Sequence, residues 1–148
     1  MEITANAVQT VTANSNVIFT DTPVSGNCSI VHREGSGLVK LRGLTSTQCR
    51  ARFRASFGAN IALPDGGTAG PISVTISLDG EPISATRMIV TPAAVDNYFN
   101  VSADIFIDVP KNCCATVAVT NTSEVTILVQ NANLIVERVA WGGFIWKD

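Results

Sequence analysis

Short segments in which apolar and polar residues alternate run through this sequence of 148 residues, and they constrain its fold more than any other feature. In residues 72–78, Ile-Ser-Val-Thr-Ile-Ser-Leu, every second side chain is apolar, which is the period of a half-buried β-strand. Asp79-Gly80 follows, a pair typical of tight turns, and residues 82–90 are predicted to return as the next strand. No stretch has a convincing helical period, so the chain is predicted to be all-β.

The other predicted strands are bounded by turn residues such as Gly35-Ser36-Gly37 and Pro110. They span residues 17–20, 28–32, 38–42, 49–57, 101–109, 114–120 and 125–138. About ten antiparallel strands at this spacing indicate one jelly-roll β-sandwich over residues 1–140. Residues 59–71 and 91–97 are predicted as exposed loops, with one helical turn at 91–95.

The alternation also predicts which side chains form the core. We expect the apolar positions of the clearest strands to be buried, namely Val74, Ile76, Ile105, Ile107, Val117 and Val119.

Three apolar side chains are predicted to face away from that core. Phe106 points opposite to its neighbours in the strand, and Leu128 and Ile135 do the same. Repeated apolar residues on an outer face usually mark association sites, so we expect these three residues to lie in a subunit interface. A β-bulge at residues 131–133, which would change the strand's parity, is the alternative explanation.

A stripe of arginines is predicted on the outer face of one strand. Arg50, Arg52 and Arg54 share one parity, opposite to Phe53. Guanidinium groups bind carboxylates well, so these arginines are candidate anion or carboxylate contacts, with a solvated outer face as the alternative. Asp104 and Asp108 also share a face, where they would be solvated or would bind arginine across a subunit boundary.

Composition argues against several functional classes. Charged residues make up 15% of the chain and the net charge is −2, with a pI near 5.3, so nucleic-acid binding is not expected. No run of 18 apolar residues suggests a membrane helix, and the acidic start lacks the pattern of a signal peptide. We therefore expect synthesis in the cytoplasm and no membrane partner.

No pattern for catalysis, cofactor binding or metal binding stands out. His32 is the only histidine, no nucleophile elbow or P-loop is present, and the spacing of Asp104 and Asp108 is wide for a glycosidase pair. The cysteines at 28, 49, 113 and 114 lack a zinc-knuckle spacing. We expect buried, inert thiols, with a bridge between Cys28 and Cys49 or a zinc site as alternatives.

The C-terminal residues 141–148 differ from the rest, because they hold both tryptophans, with a Gly-Gly hinge at residues 142 and 143. Aromatic side chains are common interface anchors, so Trp141, Phe144 and Trp146 are predicted to form an arm that docks on a neighbouring subunit. The alternative is an arm that folds back over its own domain.

Several motifs together resemble a family of small uncharacterised proteins from Firmicutes and their phages. The resemblance covers about residues 3–140, and residues 141–148 depart from it. The motifs are Asn-Cys-Ser-Ile-Val-His-Arg-Glu-Gly-Ser-Gly (27–37), Leu-Arg-Gly-Leu (41–44), Gln-Cys-Arg-Ala-Arg-Phe (48–53), Gly-Pro-Ile-Ser-Val (70–74), Leu-Asp-Gly-Glu-Pro (78–82), Val-Thr-Pro-Ala-Ala (90–94) and Val-Gln-Asn-Ala-Asn-Leu-Ile-Val-Glu-Arg-Val (129–139).

The strand layout is similar to the jelly roll of tumour necrosis factor and the complement globular head. That resemblance implies a homotrimer and no catalytic residues. It further implies a virion structural protein of a phage, such as a head-decoration or fibre protein, assembled in the host cytoplasm with capsid or other virion proteins as partners. A bacterial surface or secreted binding module for a glycan or protein ligand is the alternative.

Overall fold

The computed structural model describes residues 1–45 and 49–139, and in these ranges the chain forms β-strands and one 3₁₀ turn, Ser84–Thr86, without an α-helix. No helix in these ranges is long and apolar enough to span a membrane. The strands are β1 (Glu2–Ala5), β2 (Gln9–Val11), β3 (Asp21–Val24), β4 (Ile30–His32), β5 (Val39–Arg42), β6 (Arg50–Ala62), β7 (Ile72–Leu78), β8 (Glu81–Pro82), β9 (Met88–Val90), β10 (Phe99–Pro110), β11 (Cys114–Asn121) and β12 (Ile127–Val139).

The strands form two antiparallel sheets. Sheet A has the order β10-β6-β12-β1-β3, with β2 also paired to β12, and sheet B has the order β4-β5-β11-β7-β8, with β9 also paired to β7. Strands far apart in sequence lie side by side, as β1 does with β12. The two sheets enclose one apolar core, so the predicted all-β jelly-roll sandwich is confirmed.

Strand β6 contributes alternating small and large side chains to that core. Its inward positions are Ala51, Phe53, Ala55, Phe57, Ala59 and Ile61, all buried. The ring of Phe57 meets Phe19 edge to face, with the ring centroids 6.4 Å apart. The predicted parity of this strand is confirmed, but the strand continues to Ala62, so residues 59–62 are not part of the predicted loop.

The core prediction from the alternating strands is mostly correct. Val74, Ile76, Ile107, Val117 and Val119 are buried. Ile105 is only half-buried at the margin of the core, so that part of the prediction is wrong. It lies in β10, the edge strand of sheet A, where the opposing sheet covers the inner face less completely.

The first 25 residues hold strands that the alternation did not reveal. Strands β1, β2 and β3 are short, and Pro23 lies in β3 at the edge of sheet A, where a missing N–H does no harm. Residues 17–20, predicted as a strand, make only isolated bridges. Strand β4 begins at Ile30 rather than at residue 28, because residues 27–30 form a hydrogen-bonded turn.

The predicted return strand over residues 82–90 is interrupted. The 3₁₀ turn separates β8 from β9, and Thr86 is buried there. Its Oγ1 accepts a hydrogen bond from the N–H of Ile76 at 3.0 Å and donates one to the carbonyl of Ile83 at 2.7 Å. A side chain thus replaces the ladder bond that a continuous strand would make. Residues 91–95, which could have held one helical turn, do not form one: residues 93 and 94 form a bend, and residues 95 and 96 form a turn.

A β-bulge shifts the register of β12 against β6 between Gln130 and Asn133. Before the bulge Val129 faces the core, and after it Leu134 does, so the inward parity changes from odd to even positions. Asn131 takes the left-handed backbone conformation, with φ of 54°. The bulge considered as an alternative in the sequence is therefore present, but Leu128 and Ile135 still lie on the outer face.

The thiols are not the buried, inert groups that the sequence suggested. Cys28, Cys49, Cys113 and Cys114 are all exposed and free, so the Cys28–Cys49 bridge does not form. They stand in turns or at the ends of strands, where no second layer covers them. His32 is a hydrogen-bonding residue, as expected: its Nε2 lies 2.9 Å from the carbonyl oxygen of Ser36.

Removing one buried side chain tests the assigned core. Ile107→Ala should lower the free energy of unfolding by about 2–5 kcal/mol, because it removes buried methyl groups and leaves a cavity. Urea unfolding followed by circular dichroism measures this loss. The exposed Ile18 offers a matched control, and Ile18→Ala should change stability much less. Equal losses for the two variants would contradict the assigned register.

Candidate assembly face on sheet A

The outer face of sheet A collects most of the residues that the sequence singled out. Strand β6 lies in the middle of the sheet, between β10 and β12. Its register places Arg54 opposite Phe106 of β10 on one side and opposite Glu137 of β12 on the other. In the adjacent row, Ser56 lies between Asp104 and Ile135.

The arginine stripe binds carboxylates of its own chain. Arg52 forms a bidentate ion pair with Asp108, in which Nε donates to Oδ1 at 2.8 Å and Nη2 donates to Oδ2 at 3.1 Å. Arg50 reaches the same carboxylate at 3.4 Å. The carboxylates come from the neighbouring strand β10, so the arginines are carboxylate contacts without any need for a neighbouring subunit.

The third arginine joins two strands to β6. Arg54 Nη2 donates to Asp104 Oδ2 at 2.9 Å, and its Nη1 lies 3.7 Å from Glu137 Oε1. Three guanidinium groups and three carboxylates therefore balance across the face. An ion-pair network of zero net charge can meet a second surface without a large electrostatic penalty.

These contacts shift the ionisation of the carboxyls. Hydrogen bonding from Arg52 lowers the pKa of the Asp108 carboxyl below its usual value. Hydrogen bonds from Ser56 and then from Arg54 lower the pKa of the Asp104 carboxyl. Both groups are therefore charged at neutral pH, which makes them poor proton donors for acid catalysis.

Large apolar side chains stand among these charges. Phe106 is 62% exposed and Ile135 is 40% exposed. The guanidinium carbon of Arg52 lies 5.9 Å from the centroid of the Phe106 ring, within the range of a cation–π contact. Arg52 therefore contacts the ring, most of which stays exposed.

The structure separates the predicted interface residues into two groups. Phe106 and Ile135 belong to the charged region, whereas Leu128 is half-buried beyond the bulge, opposite Ala62 and Thr10. Trp141, Phe144 and Trp146, together with the boundary of the arm at residue 141, lie outside the described residues.

Two contributors to this face were missed in the sequence. Val24 is 54% exposed and pairs with Glu2, which itself pairs with Ile135. Strand β3 is too short and polar to show alternation, so only the register reveals Val24. Glu137 follows the parity of Ile135 and would have been found by extending the same outward positions along β12.

The described ranges also lack a cluster of metal-binding side chains. Among residues 1–45 and 49–139, no three His, Cys, Asp or Glu side chains lie close enough together to hold a metal ion.

No protein-family model matches this sequence, and no curated protein matches it. Among solved structures, the globular domain of a zebrafish complement 1qA protein is similar over 90% of this chain and 93% of that one, with a TM-score of 0.57 and 12% identity. The chain therefore has the jelly-roll fold of the complement globular head and the tumour necrosis factor. The C-terminal domain of EclA, described as a sugar-binding protein, matches over 90% of this chain and 79% of that one at 15% identity, with a TM-score of 0.41 that is too low to support an argument.

Acid should weaken the ion pairs of this face. Because the folded-state pKa values of Asp104 and Asp108 lie below the unfolded value of about 3.9, the pairs stabilise the fold above that pH and stop doing so as the pH falls through the folded values. We expect Asp108→Asn to flatten the fall in melting temperature between about pH 5 and pH 2.

Thermal unfolding at a series of pH values, with and without added salt, measures this effect. Asp21 is exposed on β3 and forms no ion pair with a described residue, so Asp21→Asn is the matched control. Identical pH profiles for wild type and Asp108→Asn would show that the ion pairs do not contribute to stability.

Proposed function

We propose that this protein is a non-enzymatic structural module that assembles as a homotrimer through the outer face of sheet A. The observation that carries this proposal is the exposure of Phe106 and Ile135 within a charge-neutral ion-pair network. Exposed apolar groups on a sheet face, with the charged groups around them already paired, are suited to burial against another subunit. The trimeric state is drawn from the resemblance to tumour necrosis factor and complement-head jelly rolls.

A charge placed in the apolar part of the face should break the assembly. In sedimentation velocity at micromolar concentration, wild type should have three times the 15.6 kDa mass of one chain. Ile135→Lys should shift it towards the monomer, because a buried, unpaired ammonium is costly. Val31 has similar exposure but lies in sheet B, so Val31→Lys should leave the trimer intact.

The sedimentation experiment also has outcomes that refute the proposal. A monomeric wild type would remove it, and so would an Ile135→Lys variant that stays trimeric. Circular dichroism of each variant establishes that any loss of assembly does not come from unfolding.

We further propose that residues 141–148 form an arm that strengthens the same assembly, as their aromatic content suggests. A chain ending at residue 140 should keep its melting temperature when monomeric but dissociate at a higher concentration than the full chain. A truncated chain that assembles equally well and melts much lower would instead make the arm an intrachain cover.

The setting we propose is a phage virion, in which the trimer serves as a decoration, fibre or similar accessory protein assembled in the host cytoplasm with capsid or other virion proteins. This part of the proposal rests on the sequence resemblance to small proteins of Firmicutes and their phages. Portal or capsid genes beside this gene would agree with it. Export of the chain to the bacterial surface, with no phage genes nearby, would favour a surface binding module.

A further inference from the structure

A groove of about 450 Å³ lies on sheet B, away from the proposed assembly face. It runs between β9 and the turn from β11 to β12, and residues 68–71 close one end. Its volume falls within the range of small-molecule sites, roughly 300–1,000 Å³. Among the described residues, no side chain fills it.

The turn that forms one wall is fixed by a buried amide. Asn121 is fully buried, and its Nδ2 donates to the carbonyls of Val11 at 3.0 Å and Val125 at 2.9 Å. Its Oδ1 accepts from the N–H of Ser123 at 2.9 Å. Because every polar atom of the amide is bonded, Asn121 stabilises the turn that forms this wall of the groove.

The same turn is clamped to β7. Ser123 Oγ accepts from the N–H of Ser73 at 2.7 Å and donates to its carbonyl at 3.1 Å. Next to this clamp, Thr122 Oγ1 lies 2.7 Å from Ser73 Oγ and 2.9 Å from Thr75 Oγ1. These hydroxyls are paired with one another, so they join the turn to β7 beneath the groove.

The two walls carry opposite charges that are not paired with each other. Arg87 lines one wall, and the one hydrogen bond of its side chain in the described part of the chain is from Nε to Ser73 Oγ at 3.4 Å. Glu124 lines the other wall, and the ion pairs found among described residues all lie on sheet A. The guanidinium fork and the carboxylate thus keep their hydrogen-bonding capacity for a ligand.

This charge balance selects the class of ligand. An anion would be attracted by Arg87 but repelled by Glu124, and a cation would meet the reverse situation. A neutral molecule with several hydroxyls satisfies both walls, because one hydroxyl can accept from the guanidinium and another can donate to the carboxylate.

The groove also offers apolar surface to such a molecule. Ile89 is 55% exposed and Val125 is 41% exposed, and they flank Arg87 and Glu124 on their respective walls. Aliphatic side chains at the rim can cover the C–H face of a sugar ring while its hydroxyls bind Arg87 and Glu124. A smaller cavity of about 160 Å³, which shares Arg87 and Thr122, extends the groove along sheet B.

We propose that this groove is a binding site for a neutral saccharide unit, with Arg87 and Glu124 as the hydrogen-bonding pair that positions it. This site does not depend on the proposed trimer, because none of its residues lies on the outer face of sheet A.

Titration of the ¹⁵N-labelled full chain with sugars tests the proposal by amide chemical shifts. Probes are glucose, galactose, mannose, maltose and cellobiose, with glucuronic acid and glucosamine as charged comparisons. At least one neutral sugar should produce saturable shifts at Ser73, Ile89 and Glu124. Arg87→Lys should weaken that binding about tenfold, the loss expected for one charge-assisted hydrogen bond.

Two further variants complete the experiment. Glu124→Gln keeps the shape of the wall but removes its charge, so it should improve binding of glucuronic acid relative to the neutral sugar. Arg42→Lys, an exposed position on β5 outside the groove, is the matched control and should bind like wild type. Unchanged melting temperatures show that the variants remain folded.

Three outcomes would overturn the proposal. These are the absence of saturable shifts with every neutral sugar, shifts that map to another surface, and tighter binding of a charged sugar than of any neutral one. Sedimentation of the same samples reports the oligomeric state, so a failure of the saccharide site is distinguished from a failure of the proposed assembly.

Discussion

The pairing of β6 with both of its neighbours is the constraint on which the rest of the structure depends. Antiparallel to β10, it runs from Arg50 opposite Pro110 to Ile61 opposite Phe99, and β12 covers its other edge. A slip of one residue would turn Phe53 outward and an arginine into the core. Burial of the phenylalanines therefore fixes the register of β6. That register places each arginine near a carboxylate on the outer face.

The bulge in β12 lets one long strand serve two parts of the core. Without it, a strand that buries Val129 would expose Leu134 and Val136, which are both fully buried. Asn131 absorbs the shift in a left-handed conformation that asparagine tolerates better than most residues. After the shift Leu134 and Val136 point into the core, so Ile135 between them points to the outer face, beside Ser56. Its exposure is therefore a consequence of the packing of its two neighbours.

The parts of the fold that could be predicted are those in which alternation alone decides the structure. Strand β7 and the buried positions of β10 and β11 follow from it directly. The carboxylate partners of Arg52 and Arg54 could not be predicted, because alternation gives the face of a side chain but not the register between strands distant in sequence. The interruption of the return strand at Thr86 could not be predicted for a similar reason. The Thr86 hydroxyl replaces a backbone hydrogen bond only when β7 lies beside it.

Strand β7 is more buried than the half-buried strand that its alternation predicts. Ser73, Thr75 and Ser77 alternate with core residues, yet all three are buried. Ser77 Oγ pairs with Thr120 Oγ1 of β11 at 2.8 Å, and the hydroxyls of Ser73 and Thr75 both pair with Thr122, just after that strand. A low content of charged residues therefore does not require that this surface be covered by a partner. The two outer faces are chemically different. Sheet A has paired charges around exposed apolar groups, whereas sheet B has a groove between unpaired charges. The proposed assembly and the proposed ligand binding therefore use different residues of one small domain.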